Sequence, residues 1–347
     1  MNRYIKYFLI LLLAGAMLAF VFAYDYYKAV FNPNVPNDIE NEYINIPTGA
    51  SFEEVVQLLK TNNFIENEDH FKWVAQKMKY IKNPMRSGRF KIKPGWNNRQ
   101  LISHLRAGKQ STVKLVINHA RMAHQVAGVA ARFIEADSLE IVNLLQSKSF
   151  LSKHGYTPET VISMFIPNTY DFYWNTNAEK FFEKMEKEHK AFWKKKNRIK
   201  KAKKLKMTPI EVYTLASIVE RETRSIPEKP RVAGLYLNRL KKGMRLEADP
   251  TVVFANQKFD LRRVLNKHLE FESPYNTYLH TGLPPGPISL ASISSIDAVL
   301  NAEDHQYIFM CAKPDNSGQH AFAKTLSGHN VNANKYRRWL KQQGIRQ

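Results

Sequence analysis

Cysteine is almost missing from this chain: Cys311 is the single one in 347 residues. One thiol excludes an internal disulfide framework, and it excludes zinc or iron–sulfur sites built from several cysteines of one chain. Cys311 lies in Tyr307-Ile308-Phe309-Met310-Cys311-Ala312, which reads as a buried strand where a thiol packs as a small apolar group. Histidines are scattered, without a His-Glu-x-x-His or similar ligand spacing, so no metal is expected. Glycines never gather into a phosphate-cradling loop, so nucleotide binding has no support and no cofactor is expected. Acidic residues are also short: 31 Asp and Glu face 52 Lys and Arg, a formal net charge of +21. Such an excess attracts polyanions, whether nucleic acid, anionic lipid or an acidic wall polymer.

Much of that charge sits in one run, Lys194-Lys195-Lys196, Arg198, Lys200-Lys201, Lys203-Lys204 and Lys206, at the end of a long helix expected from Ala178. Its plainest reading is a solvated helical face. Beyond Phe192 and Trp193 it has almost no aromatic residues, so stacking on single-stranded nucleic acid is poorly supported. Long apolar runs are equally scarce. The one present, Tyr7 to Tyr24, follows Arg3 and Lys6 and is flanked by Tyr24, Tyr26 and Tyr27. It suits a spanning helix at the short end of the range. Phe22-Ala23-Tyr24 offers no good cleavage site, which favours an uncleaved anchor over a signal peptide. Basic residues stay cytoplasmic, which places everything after Tyr27 outside and argues against genomic DNA as a partner.

Beyond a short linker punctuated by Asn and Pro, strand–turn–helix units recur. Tyr43 to Ile46 reads as a strand and Ser51 to Asn62 as a helix, with Ser51 and Glu54 forming a capping box. Arg89 to Ile92 and Asn98 to Ala107, ending at Gly108, repeat the unit. Val113 to Ile117 with Met122 to Ala131 forms a third. Units of this kind resemble glycan-binding LysM modules, or they are spacers.

Chemistry is best placed on the helix that starts at Thr208-Pro209-Ile210-Glu211, with Thr208 as N-cap and Pro209 at the first helical position. Glu220 shares a face with Tyr213, Ala216, Ser217 and Thr223 by three- and four-residue offsets. The alternative is an ordinary surface pair between Glu220 and Arg224. Glu222 lies about 200° round the helix, so the two carboxylates cannot act jointly from it. Rigid Pro- and Gly-rich loops follow, and loops held on a scaffold are where binding groups concentrate.

Six ordered blocks carry a family resemblance: Ala216-Ser217-Ile218-Val219-Glu220-x-Glu222-Thr223, Asn238-Arg239-Leu240, Gly243-Met244-x-Leu246, Asp249-Pro250-Thr251, Tyr275-Asn276-Thr277-Tyr278 and Gly282-Leu283-Pro284-Pro285-Gly286-Pro287-Ile288. In this order the chain resembles the YceG-like endolytic murein transglycosylases. Weaker matches are Phe165 to Tyr170, His320-Ala321-Phe322 and His329-Asn330. Departures fall at Ile162 and Asn168, where the family is acidic, at Asn118-His119-Ala120 in place of Pro-Glu-Gly, and at Leu290-Ala291-Ser292 in place of Asn-Pro-Gly. They touch substrate subsites and loop shapes and leave the block around Glu220 intact.

The resemblance implies an α+β fold: an N-terminal transmembrane helix, small LysM-like strand–helix modules, then a mixed α/β catalytic domain with its active site in a cleft. The segments are a cytoplasmic end (1–6), a spanning helix (7–27), a linker (28–41), a LysM-like subdomain (42–115) and a catalytic domain (116–347). It further implies cleavage of the β-1,4 bond between N-acetylmuramic acid and N-acetylglucosamine inside glycan strands. The muramic 6-hydroxyl attacks C1 and leaves a 1,6-anhydro end. Glu220 is the catalytic candidate by family position, protonating the leaving oxygen and then taking the hydroxyl proton, with its pKa raised by an apolar setting. Glu222 and Asp249 would orient or support, and Asn238, Thr251, Tyr275, Asn276 and Tyr278 would bind substrate or support the site. Implied partners are peptidoglycan strands and the lipid bilayer, with peptidoglycan synthases a further candidate. A water-using muramidase needs a second carboxylate, for which Asp249 stands ready, and a non-catalytic wall-binding scaffold is the other alternative.

Overall fold

The computed structural model describes residues 3–261 and 263–344. The extremes of the expected first and last segments, residues 1–2 and 345–347, lie outside it. The chain divides into two compact units, one formed by residues 1–114 with 133–135 and 171–177, the other by 115–132, 136–170 and 178–347.

The first unit begins with α1 (Arg3–Phe31), whose apolar window has a mean hydropathy of 2.3 and is not buried by the protein. This helix is longer than expected. It runs through the proposed start of the linker because no breaker occurs before Pro33. Its last turn has packing partners, since Ala29 and Val30 belong to the unit's core and Asn98 Nδ2 donates to the Ala29 carbonyl at 2.8 Å. Then follow β1 (Tyr43–Ile46), α2 (Phe52–Thr61), α3 (Glu68–Lys77), β2 (Gly88–Lys91) and α4 (Asn98–Ala107). The strands pair antiparallel, Tyr43 opposite Lys91 and Ile46 opposite Gly88. Period-two residues Ile44 and Ile46 meet Val55, Val56 and Leu59 of α2 and Leu101, Ile102 and Leu105 of α4, all buried. Capping boxes at Ser51/Glu54 and Asn97/Gln100 start α2 and α4, and left-handed Gly108 (φ 70°) ends α4.

The strands β3 (Thr112–Ile117) and β4 (Asn168–Tyr173) pair with each other, and the division between the units passes through both. The second unit holds α5 (Ala123–Ala130), α6 (Ser138–Gln146), α7 (Lys148–Lys153), α8 (Ala178–Lys194), α9 (Arg198–Lys204), α10 (Pro209–Glu222), α11 (Lys229–Lys241), α12 (Asp249–Ala255), α13 (Asn266–Leu269) and α14 (Ile293–Leu300). It closes with the antiparallel pair β5 (Phe309–Ala312) and β6 (His320–Ala323), followed by α15 (Leu326–Gln342). Cys311 on β5 is half-buried, less enclosed than expected. The long basic helix does not continue as one piece. Lys196 and Asn197 take positive φ near 55°, and the chain restarts as α9 because Arg198 is drawn inward. Its guanidinium bonds both oxygens of Asp297, at 2.7 and 3.1 Å, and covers the Phe192 ring.

At the centre of this unit α10 packs against α11 and α14, with Val212, Leu215, Ile218, Val219, Val232, Leu235, Ile296 and Val299 fully or almost fully enclosed. Gly234, in the middle of α11, permits a close approach of the chain before β5. A Cβ there would stand 2.5 Å from the Glu303 carbonyl oxygen, a backbone atom fixed by the Glu303 N–H bond to Pro230 at 3.0 Å. Helix propensity alone favours alanine by about 1 kcal/mol. We expect the opposite sign: Gly234→Ala should lower stability by about 1–3 kcal/mol through overpacking. Chemical denaturation measures it, and an unchanged or raised midpoint would refute the close contact.

Candidate active site

Three side chains on one face of α10, at steps of four and three residues, hold the loop before α14. The Tyr213 hydroxyl accepts from the Ala291 N–H at 3.1 Å, Ser217 Oγ from Ile288 N–H at 3.0 Å, and Glu220 Oε2 from Ser292 N–H at 3.2 Å. Glu220 Oε2 also accepts from the Ser292 hydroxyl, from Ser295 Oγ at 2.6 Å and from Lys229 Nζ at 2.9 Å. Ser292 is the N-cap of α14, so the carboxylate sits at a helix N-terminus, where anions are favoured. All these bonds fall on Oε2; Oε1 has no partner among the described residues.

Lys229 is the decisive neighbour. It is 4% exposed and divides its ammonium between Glu220, Ser292 Oγ and Ser294 Oγ, the latter two at 3.2 Å. Burial pushes the Glu220 pKa up, but Ser292, Ser295 and Lys229 together outweigh it and hold the carboxyl below its usual value. The apolar setting expected to raise it is therefore overridden in the free protein. A folded value below the unfolded one means that Glu220 stabilises the fold above its unfolded pKa and loses that contribution as pH falls through the folded value. Arg224 plays no part as a helical partner, because α10 ends at Glu222. Thr223, in extended conformation, leaves the helical face and donates to Glu228 at 2.7 Å.

Glu222 belongs to a different cluster. Its Oε1 accepts from the Tyr236 hydroxyl at 2.6 Å, while Asp249 Oδ1 accepts from Tyr278 at 2.7 Å. Burial pushes Glu222 up to about 7, with the Tyr236 bond opposing and the Asp249 charge adding to the rise. A pocket of about 740 Å³ opens on Glu220, Ser292, Arg132 and Pro167. It shares Arg121, Arg221 and Phe259 with a second, of about 470 Å³, that reaches Glu222 and Asp249. Those two carboxylates also line a third, of about 250 Å³, with Tyr236 and Tyr278.

The remaining expected residues brace loops. Asn238 Nδ2 donates to the carbonyls of His305 (2.7 Å) and Tyr307 (3.2 Å). Asn276, fully enclosed, donates to Leu269 and Phe271 carbonyls and accepts from Tyr278 N–H. Thr251 Oγ1 is enclosed against Ala248 and Thr277. Thr251 Oγ1, both polar groups of the Asn276 amide and the Asn238 amide nitrogen are thus spent on the protein. The Tyr275 ring meets Phe254 at a tilt of 49° and lines a separate pocket with Arg121 and Glu159. Lys229 and Ser295 are not marked by any motif, and Ser292 is marked only as part of the departure at Leu290-Ala291-Ser292. The one available signal was the serine cluster at 289, 292, 294 and 295, which stands where the chain departs from its family's Asn-Pro-Gly.

The second unit is thus a mixed α/β protein whose central helix presents the Glu220 carboxylate to a row of pockets. The profile of the YceG-like family matches residues 44–335, and the chain belongs to that family. A Bacillus subtilis (strain 168) protein named endolytic murein transglycosylase is 29% identical over 94% of this chain and 91% of its own length. A Streptococcus pneumoniae (serotype 2, strain D39) protein of the same name is 22% identical, over 94% of this chain but 63% of its own length. A crystal structure of a YceG-like protein from Listeria monocytogenes superposes with a TM-score of 0.55 at 28% identity, over 84% of this chain and 98% of that one.

Two expectations test the two carboxylates. Lys229→Met leaves Glu220 without its counter-ion and should reduce stability at pH 7 by about 1–3 kcal/mol. The Lys229→Met/Glu220→Gln double variant should regain most of that loss, and a double variant no more stable than Lys229→Met would sink the pairing. For Glu222, a folded pKa above the unfolded one means that stability falls as pH rises from about 4.5 through about 7. Glu222→Gln, which keeps the acceptor for Tyr236, should therefore melt several degrees higher than the parent at pH 8 and match it at pH 4. A gain that is the same at both pH values would contradict the buried-acid assignment.

Proposed function

We propose that this chain is a membrane-anchored peptidoglycan lytic transglycosylase, a lyase that cuts the β-1,4 bond between N-acetylmuramic acid and N-acetylglucosamine within glycan strands and leaves 1,6-anhydro ends. The observation that carries this is Glu220, held on one oxygen only and facing a pocket, in a chain whose relatives over 94% of its length are named endolytic murein transglycosylases. The row of linked pockets suits a polymer and serves as the substrate cleft. Anchoring by α1 puts residues 1–6 in the cytoplasm and the rest outside, with 42–115 as LysM-like glycan-binding modules. The role is strand termination during wall assembly, beside the synthases.

Chemically, the glycosidic oxygen needs a proton as C1 acquires positive charge, and the muramic 6-hydroxyl then gives one up. Oε1 of Glu220 is the oxygen for both transfers, while Oε2 stays fixed by Ser292, Ser295 and Lys229. The side chain is 29% exposed in the free protein. A sugar covering it removes the remaining water and moves its pKa upward, as the acid step requires. After bond cleavage the Lys229-paired carboxylate is the natural base, and its charge faces the developing cation at C1. No water enters this sequence, because the attacking hydroxyl comes from the substrate.

One observation favours a second reading. Glu222 and Asp249 form a carboxylate pair along the linked pockets, the equipment that a water-using muramidase would need. Mass spectrometry of products from the full-length chain in detergent, incubated with purified glycan strands, separates the readings. We expect 1,6-anhydro-muramic ends whose rate of appearance falls about 10²–10⁴-fold in Glu220→Gln. Reducing ends would assign hydrolysis instead. No cleavage by the folded parent protein would leave a wall-binding scaffold.

A further inference from the structure

Around Glu220 the charge is unbalanced. Arg121, Arg132 and Arg221 line its pocket against one carboxylate, Glu220, which Lys229 already pairs. None of the three arginines forms an ion pair with a carboxylate among the described residues. Arg121 is the most enclosed. Its guanidinium lies 4.4 Å from the Phe259 ring centre, and its backbone N–H bonds Gln125 Oε1 at 2.7 Å. The neighbouring Ala120 carbonyl accepts from Leu290 N–H at 2.8 Å, which ties the Arg121 loop to the loop that presents Ser292 to Glu220. Burial first, and then the charge of Arg221, push Arg121 below its usual pKa. Two guanidiniums sharing a pocket wall in this way repel each other, and an oxyanion between them relieves the repulsion.

We propose that Arg121 and Arg221, with Arg132 on the same pocket, form an oxyanion subsite beside Glu220 that takes a carboxylate carried by the muramic acid of the bound strand. This rests on the transglycosylase reading and adds what that reading does not specify: how the enzyme chooses which strands to cut. Two sources supply the same chemistry. In strands that keep their stem peptides the carboxylates belong to the peptide. In strands stripped by an amidase the lactyl group itself becomes a free carboxylate. Arginine suits either, since its planar fork matches a carboxylate in a bidentate pair. The Phe259 face holds one fork in place before substrate arrives, which reduces the ordering cost of binding.

The test compares three substrates with the full-length protein: peptide-bearing strands, amidase-stripped strands, and stripped strands whose carboxylates have been converted to neutral methylamides. The readouts are kcat and KM for cleavage, and the affinity of each strand for the Glu220→Gln protein. In Arg221→Gln and Arg121→Gln, the ratio of kcat/KM on charged strands to that on neutral strands should fall about tenfold, mostly through KM. Arg221→Lys, which keeps the charge without the fork, should recover part of it. A loss confined to peptide-bearing strands identifies the peptide carboxylate, and a loss on stripped strands the lactyl group. Arginine variants that cut all three substrates in the parent's proportions would overturn the subsite. Should Arg121→Gln not fold, exposed Arg221 on α10 carries the test alone. Failure of the parent to cut any strand would overturn the transglycosylase reading instead, so the two failures are separable.

Discussion

One oxygen of one glutamate joins the parts of the second unit. Glu220 Oε2 receives bonds from the loop before α14, from the serines that open α14, and from Lys229 in the first turn of α11. Three helices that pack together through apolar side chains are thus also fastened at one end by a charged knot. A half-buried carboxylate needs hydrogen bonds and a matched charge, and this one has both on Oε2. The same arrangement leaves its other oxygen unengaged towards a pocket. The bonds that fasten the helices therefore fall on one atom of the side chain, and the atom left over is the one that the proposed chemistry uses.

The helix bearing that glutamate was legible because its signals are local. Thr208, Pro209 and Glu211 mark the start of α10, and the structure has the capping box and the proline where those residues put them. The same holds for α2 and α4, where capping residues and apolar spacing agree. The breaks were less visible. Nothing in a run of lysines announces that Lys196 and Asn197 turn left-handed, because the partner is remote: Arg198 bonds Asp297, 99 residues on. Partners of Glu220 were hidden for the same reason. Lys229 and Ser292 are nine and seventy-two residues away in sequence. Spacing on one helix pointed only to Arg224.

The expected sugar-binding residues teach a related lesson. Asn238, Thr251 and Asn276 stand in motif blocks, yet their polar atoms cap carbonyls and hydroxyls of neighbouring loops. Asn276 and Thr251 shape the site without lining it, since a buried polar group with satisfied partners has nothing left to offer a ligand. Of the cations that face the pockets, Arg221 fills the unspecified position of the Glu220 block, and Arg121 follows the departure at Asn118-His119-Ala120. The large positive charge of the chain was legible at once, but not that part of it is placed beside Glu220.

The continuation of α1 beyond its apolar stretch has a mechanical consequence. At 1.5 Å per residue its 29 residues span about 43 Å, more than the ~30 Å of a bilayer interior. The surplus is clamped: Tyr26 meets the Trp73 ring edge-on at 5.3 Å, and Asn97 and Asn98 bond the carbonyls of Phe31 and Ala29. With α1 in a membrane, the first unit would not hang on a leash. It would stand on a stiff post, so that tilting or rotating the helix turns the folded unit with it. Lipid thickness would then set how far above the bilayer that unit rides, and inserting a flexible stretch between Tyr27 and Pro33 would uncouple the two.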